Sequence, residues 1–330
     1  MFARKRDENR TVIKHKARLV AQGYSQKPGV DYSETGTFAP IMRFETLRTL
    51  LAYAAIENWD ILQLDIKGAY LNGHVKEELY MRQPIGFEDS TSHVCLLWKT
   101  LYGLKQARNE WNNEINGSMI EFSYKRLRTD YCAYVYRSGN KFSIVLIWVD
   151  DITAFADSPA TNQELVEKLK GKYEVKVIGE PTLLLGIHIK RDRDRHMVTL
   201  SQKRYILKIL ERARMGDSKP VAMPMDPNVL LTKNTNELTK ERGKLTLTEY
   251  ATWIGELLYA AHATRPDILY ATTTLAQFTN NPAKEHWTVL KRVFRYLKGT
   301  ADRVLTYGGG GNAKTELIRY TDADWGSNTH

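Results

Sequence analysis

Phe142-Ser143-Ile144-Val145-Leu146-Ile147-Trp148-Val149-Asp150-Asp151-Ile152-Thr153-Ala154-Phe155-Ala156 is the stretch on which the reading of this chain turns. An apolar run leads into two adjacent carboxylates, and a second short apolar run leaves them. Such acids repel each other, and burial pushes a proton onto one of them unless a cation intervenes. Hard oxygen ligands of this kind suit Mg²⁺ or Mn²⁺. Taken alone, the pair fits a solvated hairpin tip equally well.

Upstream, Asp60-Ile61-Leu62-Gln63-Leu64-Asp65-Ile66 reads as a buried strand ending in a carboxylate. If this strand lies beside the Asp150-Asp151 segment, three carboxylates converge at one sheet edge. Such a cluster can hold two ions that polarise an attacking hydroxyl and a leaving phosphate oxygen. Successive strand residues point to opposite faces. Asp65 and Asp150 are therefore expected to be the principal ligands and Asp151 a secondary one.

Around this centre the apolar spacing predicts helices over 44–58, 104–122 and 162–173. Strands are expected at 17–21, 78–82, 94–99, 131–136 and 141–149, the last two joined by a hairpin at Ser138-Gly139-Asn140. A second hairpin, 183–190 with 197–201, surrounds the tip Arg191-Asp192-Arg193-Asp194-Arg195. Residues 216–245 read as a linker, followed by helices at 248–263, 266–279 and 282–298. The glycines at 308–311 make a second break before a strand at 316–324. Gly308-Gly309-Gly310-Gly311-Asn312-Ala313-Lys314-Thr315 nearly spells a phosphate loop, but Ala313 replaces the glycine before the lysine and a strand follows, so a linker is the better reading. This irregular order of elements predicts an α+β fold.

At 330 residues the chain has room for two or more structural units. Cys95 and Cys132 are its only cysteines, too few for a zinc ribbon or a disulfide framework. No apolar run is long enough to span a bilayer, and Met1-Phe2-Ala3-Arg4-Lys5-Arg6 lacks the apolar core of a signal peptide, so an intracellular location and no membrane partner are expected. The formal charge of +10 points towards a polyanion. Arg204, Lys208 and Arg212 repeat along one helix, and Lys291, Arg295 and Lys298 share a face of another opposite Trp287, Leu290, Phe294 and Leu297. Either basic face fits phosphate contact or plain solvation.

Seven segments in one order carry a resemblance. They are Lys16 to Tyr24 (KARLVAQGY), Gln63 to Gly73 (QLDIKGAYLNG), Leu101 to Ala107 (LYGLKQA), Val149-Asp150-Asp151, Leu185-Gly186-Ile187-His188-Ile189, Thr264-Arg265-Pro266-Asp267-Ile268, and Tyr320 to Trp325 (YTDADW). The chain resembles the reverse transcriptase of copia-type LTR retrotransposons, part of a Pol polyprotein. The resemblance implies a right-hand polymerase with palm, fingers and thumb, a helical connection region, and the first strand of a truncated ribonuclease H domain. It implies fingers, palm and the start of the thumb over 1–225, thumb and connection over 226–315, and ribonuclease H from 316.

By the same resemblance, Asp65, Asp150 and Asp151 would bind two Mg²⁺ or Mn²⁺ ions. Tyr70 would sit under the sugar of the incoming nucleotide and exclude a 2′-hydroxyl. Alone, it reads as a core aromatic. Tyr102 and Gly103 would line the nucleotide pocket, where glycine lets the backbone approach closely. Lys16 and Arg18, otherwise simply a basic strand, would reach the triphosphate. Leu185, Gly186 and Ile187 would grip the primer end. Asp322 would be the first metal ligand of ribonuclease H; its remaining acids are absent, so no RNA-strand cleavage is expected. Partners would be an RNA template, a DNA primer or RNA/DNA hybrid, and dNTPs, within a virus-like particle if the element is intact.

Trp148 stands where the family commonly has Tyr, Arg108 where it has Pro, and His188 where it has an acid. By the same resemblance the chain would start inside the fingers and would not include the protease and integrase regions of a full polyprotein. Two functional classes follow: a polymerase working by two-metal nucleotidyl transfer, and a catalytically inert transposon-derived fragment that at most binds nucleic acid. The intact trio of aspartates favours the first; the departures and missing segments favour the second.

Overall fold

The computed structural model describes residues 1–6, 11–233 and 240–310. The chain divides into two compact units, Met1–Arg43 with Trp59–Glu180, and Phe44–Asn58 with Pro181–His330.

In the first unit, strand β1 (Phe2–Arg6) pairs antiparallel with β2 (Val12–Ala17). The strand expected at 17–21 thus lies earlier in the chain. Helix α1 (Phe44–Ile56) belongs to the second unit and buries Leu47, Leu50, Leu51, Ala54 and Ala55, the one-sided spacing expected of it. Strand β3 (Asp60–Ile66) has the predicted bounds. A small ribbon of β4 (Tyr80–Arg82) and β5 (Val94–Leu96) follows, both shorter than expected, and then helix α2 (Ala107–Glu121). Next come β6 (Lys125–Arg126), β7 (Ala133–Ser138), β8 (Lys141–Trp148) and β9 (Asp151–Ala156).

Helix α3 (Pro159–Lys170) starts three residues before the apolar pattern suggests. Ser158 caps it by accepting from the Thr161 amide, and Pro159 opens the first turn, where a missing N–H costs nothing. Strand β10 (Val175–Gly179) was not anticipated.

These strands form one antiparallel sheet in the order β10-β3-β9-β8-β7-β6. One face carries Leu64, Ile66, Val145, Ile147, Ile152 and Ala154 into a core with Trp111, Ile115 and Met119 of α2 and Leu165, Val166 and Leu169 of α3. The alternation of a strand therefore puts Gln63, Asp65, Asp151 and Thr153 on the other face.

The second unit contains β11 (Leu183–Leu184), β12 (Ile187–Asp192) and β13 (Met197–Ser201). Residues 183–190 are not one strand. A turn at Leu185-Gly186, both with positive φ of 49° and 76°, folds β11 back on β12. Helix α4 (Lys203–Arg212) is followed by α5 (Lys240–Ala263), which starts inside the stretch read as a linker. Pro266–Ile268 forms a 3₁₀ turn rather than the first turn of an α-helix, and α6 (Leu269–Ala276) and α7 (Lys284–Gly299) complete the bundle. Strand β14 (Leu305–Gly308), also unanticipated, pairs with β13. The helical core gathers Ile206, Ile209, Tyr250, Leu257, Ile268, Leu275, Leu290, Phe294 and Leu297. Antiparallel sheets with packed helices are the mixed architecture expected. The strand at 316–324 and Asp322 lie outside the described residues, and no helix among those described is long and apolar enough to cross a membrane.

Candidate active site

Strand register assembles the site. Asp65 of β3 is paired with Asp151 of β9, and on its other side with Lys176 of β10. Trp148 of β8 faces Asp151 from the opposite flank. Cross-strand partners share a face, so Trp148, Asp151, Asp65 and Lys176 form a row across four strands. Asp150 is not in this row. It occupies the second position of a two-residue turn, Val149-Asp150, that joins β8 to β9. The cross-strand partner of Asp65 is thus Asp151, the residue ranked second from sequence.

The turn is conformationally demanding. Val149 has φ of +57°, whereas Asp150 has no positive φ, the pattern of a type II′ turn whose first position favours glycine. Both turn carbonyls are held. The Ile66 amide donates to Asp150 at 2.8 Å, and the Trp111 indole N–H donates to Val149 at 2.7 Å.

Burial raises the Asp151 carboxyl above the ordinary carboxylate range, and the charges of Asp150 and Asp65 push it further the same way. A hydrogen bond from the Gln63 side chain opposes them. Gln63 is buried, two residues before Asp65 on the same strand face, a spacing from which the sequence could have identified it. Mutual repulsion among three carboxylates is what a divalent cation relieves, so Asp65, Asp150 and Asp151 fit such an ion. Among the described residues no three His, Cys, Asp or Glu side chains converge as a ready-made metal cage. Mg²⁺ needs none, because it commonly takes one or two protein carboxylates and completes its shell with water and phosphate.

The expected nucleotide-pocket residues partly gather here. Tyr70 and Tyr102 meet edge to face with ring centroids 5.2 Å apart, and the Arg18 guanidinium lies 5.4 Å from the Tyr102 ring centre. Burial raises the Tyr102 hydroxyl, the negative charge of Asp150 raises it further, and Arg18 acts against both. Tyr102 thus lies in the field of Asp150 and of Arg18 together. Lys16, two residues before Arg18, makes no such contact among the described residues.

Gly103 supports this group by close approach. Its φ is +96°, and a Cβ there would lie 2.2 Å from the Ala21 carbonyl oxygen. Gly23, which sequence reading did not single out, would with a Cβ meet the Gly103 carbonyl at 1.8 Å. The two motifs interlock through bare backbone, joined by the Ala21 amide donating to Tyr102 at 2.7 Å. Gln106 extends the lock, accepting from Gln26 and donating to the Asp31 carbonyl. Beside the hairpin, Pro40, Met42, Arg108, Trp111, Ile147 and Trp148 help to line a cleft of about 200 Å³.

Residues 1–227 match the family described as Reverse transcriptase (RNA-dependent DNA polymerase). The chain belongs to the reverse transcriptase family. Its relatives are the copia-type elements that the motifs indicated. It is 38% identical, over 98% of its length, to the Retrovirus-related Pol polyprotein from transposon TNT 1-94 of Nicotiana tabacum, covering 24% of that protein. The same identity and share of this chain relate it to the corresponding polyprotein from transposon RE1 of Arabidopsis thaliana, of which it covers 22%. The Transposon Ty1-NL1 Gag-Pol polyprotein of Saccharomyces cerevisiae is 30% identical over 99% of the chain, which covers 19% of it. This reverse transcriptase chain thus spans a quarter or less of these curated relatives.

The expected primer-gripping residues Leu185, Gly186 and Ile187 lie in the second unit of this reverse transcriptase chain, at the turn between β11 and β12. The Tyr259 hydroxyl donates to the Leu185 carbonyl. Of the basic faces, part is already engaged. Arg212 pairs with Glu256 and lies 5.5 Å from the Trp253 ring centre. Arg295 donates to the Lys219 carbonyl at 2.7 Å and Lys298 to that of Gly216, which fastens the segment after α4. The motif residue Arg265 is also structural. It is 2% exposed, grips Asp267 through two nitrogens at 2.9 and 2.7 Å, and donates to the Thr300 carbonyl at 3.0 Å.

Proposed function

We propose that this chain performs RNA-directed DNA synthesis, transferring a nucleotidyl group from a dNTP to a primer 3′-hydroxyl on an RNA or DNA template. The observation that carries the reading is the Asp65–Asp151 register, with Asp150 in the adjoining turn and Tyr102 in its field. On this reading Asp65, Asp150 and Asp151 hold two Mg²⁺ or Mn²⁺ ions. Bound there, the ions supply polarisation of the attacking hydroxyl and charge neutralisation at the departing pyrophosphate. Arg18 and Lys16 take the triphosphate, while the Tyr102 and Tyr70 rings and Gly103 bound the nucleotide. A bulky ring at Tyr70 excludes a 2′-hydroxyl and selects deoxynucleotides.

We assign the first unit to palm and fingers and the helical part of the second to thumb and connection, with Leu185-Gly186-Ile187 contacting the primer end. The template, primer and dNTPs are the partners this assignment requires.

The test is Mg²⁺- or Mn²⁺-dependent extension of a DNA primer on an RNA template, beside Asp150→Asn. Extension by the wild type that the variant loses supports the proposal. Absence of extension with salt-sensitive hybrid binding intact supports the inert, nucleic-acid-binding reading instead.

A further inference from the structure

We infer that Trp111 is a positioning residue for the Val149-Asp150 turn, holding the backbone conformation from which Asp150 and Asp151 project. That these are catalytic carboxylates rests on the proposed polymerase function; the hold itself does not.

The left-handed region is unfavourable for any residue with a Cβ and most so for a β-branched one. Val149, at φ +57°, occupies it between two paired strands. Such a conformation persists where surrounding structure over-determines it. Here the determinant is identifiable. Trp111 is 2% exposed, and its indole nitrogen, a donor only, points at the Val149 carbonyl at 2.7 Å. The ring is braced in turn. It meets Tyr173 edge-on at 5.5 Å, and the Tyr173 hydroxyl bonds Ser118 at 2.5 Å and Glu114 at 3.1 Å on the same helix.

With the neighbouring Asp150 carbonyl held by the Ile66 amide, the strained peptide is clamped on both sides. Removing the indole N–H leaves the Val149 carbonyl without that donor and lets the turn relax towards negative φ. A relaxed turn rotates Asp150 and offsets Asp151 from Asp65. Trp111 is buried and reaches the hairpin through the Val149 carbonyl, so its effect on the carboxylates passes through the turn.

The inference makes a distinctive prediction about pairs of substitutions. Glycine adopts φ +57° without strain, so Val149→Gly should make the clamp largely redundant. In the full chain, Trp111→3-benzothienylalanine exchanges the ring N–H for sulfur at nearly constant volume and preserves the packing that Trp111→Phe would disturb. The expected result is a fall in kcat of about tenfold or more, the cost of a small displacement at a reacting centre, with hybrid affinity unchanged. In the Val149→Gly background the same exchange should cost less than about threefold, the clamp then having little strain to oppose.

Urea unfolding of the same four proteins supplies a readout independent of activity: strain released by the relaxing turn offsets part of the lost hydrogen bond when residue 149 is valine, so the Trp111 exchange should lower the midpoint less there than in the Val149→Gly background. Equal effects of the exchange in both backgrounds, in unfolding and in kcat, overturn the inference even if the wild type polymerises. Coupling in unfolding with no extension by the wild type rejects the polymerase reading and leaves the clamp standing.

Discussion

Asp65 and Asp151 stand opposite each other across β3 and β9, with no strand between them and Asp150 one residue away. Their side chains share the sheet face not covered by α2 and α3. Two like charges in that position oppose folding unless neutralised.

Asp151→Asn should therefore stabilise the metal-free protein while sharply slowing synthesis. Because burial and then Asp150 and Asp65 raise this carboxyl in the folded state, the native protein holds its proton longer than the unfolded chain does. Stability from this group falls as pH rises through the interval between the unfolded and the raised folded values, then stays level. Thermal melts without divalent metal should show Asp151→Asn melting above the wild type at neutral pH and matching it more nearly in acid. Adding Mn²⁺ should raise the melting temperature of the wild type more than that of the variant, which keeps only Asp65 and Asp150. Extension should drop by about 10²-fold or more, the scale of losing one preorganised electrostatic partner.

Gly103→Ala should destabilise the first unit by about 3 kcal/mol, combining a strained positive φ with overpacking. The new methyl would meet the Ala21 carbonyl, and backbone rather than a flexible side chain would have to move. Urea denaturation measures this directly. Gly23→Ala should behave alike, since its methyl would meet Gly103.

Tyr259→Phe should loosen the turn at Leu185-Gly186, where a non-glycine residue holds φ of +49°. Losing one hydrogen bond to the Leu185 carbonyl costs about 1 kcal/mol. The measurable consequence is faster amide exchange at Gly186 and Ile187. Weaker primer–template binding accompanies it if this turn meets the primer. Gly186→Ala would place a Cβ 2.8 Å from the Tyr259 hydroxyl, so Tyr259→Phe should partly rescue it.

Arg265→Met should cost about 3–5 kcal/mol by leaving a partly buried Asp267 without its bidentate partner. Burial raises the Asp267 carboxyl, but hydrogen bonds from Arg265 and Tyr296 and the Arg265 charge outweigh it, so the net shift is downward. A depressed carboxyl contributes stability that is fully present above its unfolded value and is lost as pH falls through the folded one. Acid titration of the melting temperature should therefore be steeper in the wild type than in Asp267→Asn.

Much of the site was legible in the sequence. The alternation of Asp60–Ile66 defined β3, and the apolar runs on either side of Asp150-Asp151 defined β8 and β9, because half-buried strands must alternate or run apolar. Arg18, Tyr70, Tyr102 and Gly103 were named as candidates through the motifs of the resemblance, and the structure brings Arg18, Tyr70 and Tyr102 into contact. Strands β10 and β14 were missed because Val175–Gly179 is mostly exposed and Leu305–Gly308 is only four residues, so neither carries a strong pattern. The break at Leu185 was missed because an apolar Leu183–Lys190 run reads as one strand unless the glycine is taken as a turn residue.

What the sequence alone determined is the set of elements and the chemistry they carry: alternating strands, amphipathic helices, and three acids placed at strand ends. Those follow from local periodicity and side-chain type. Only the tertiary structure decided that Asp151 rather than Asp150 faces Asp65, that Lys176 flanks the pair, and that Trp111 and Gln63 hold the turn and its carboxylate. Register, and the side chain that reaches across to a strained carbonyl, depend on contacts between segments tens of residues apart. No local pattern encodes them, because a one-residue slip keeps the same composition while moving every side chain to the other face.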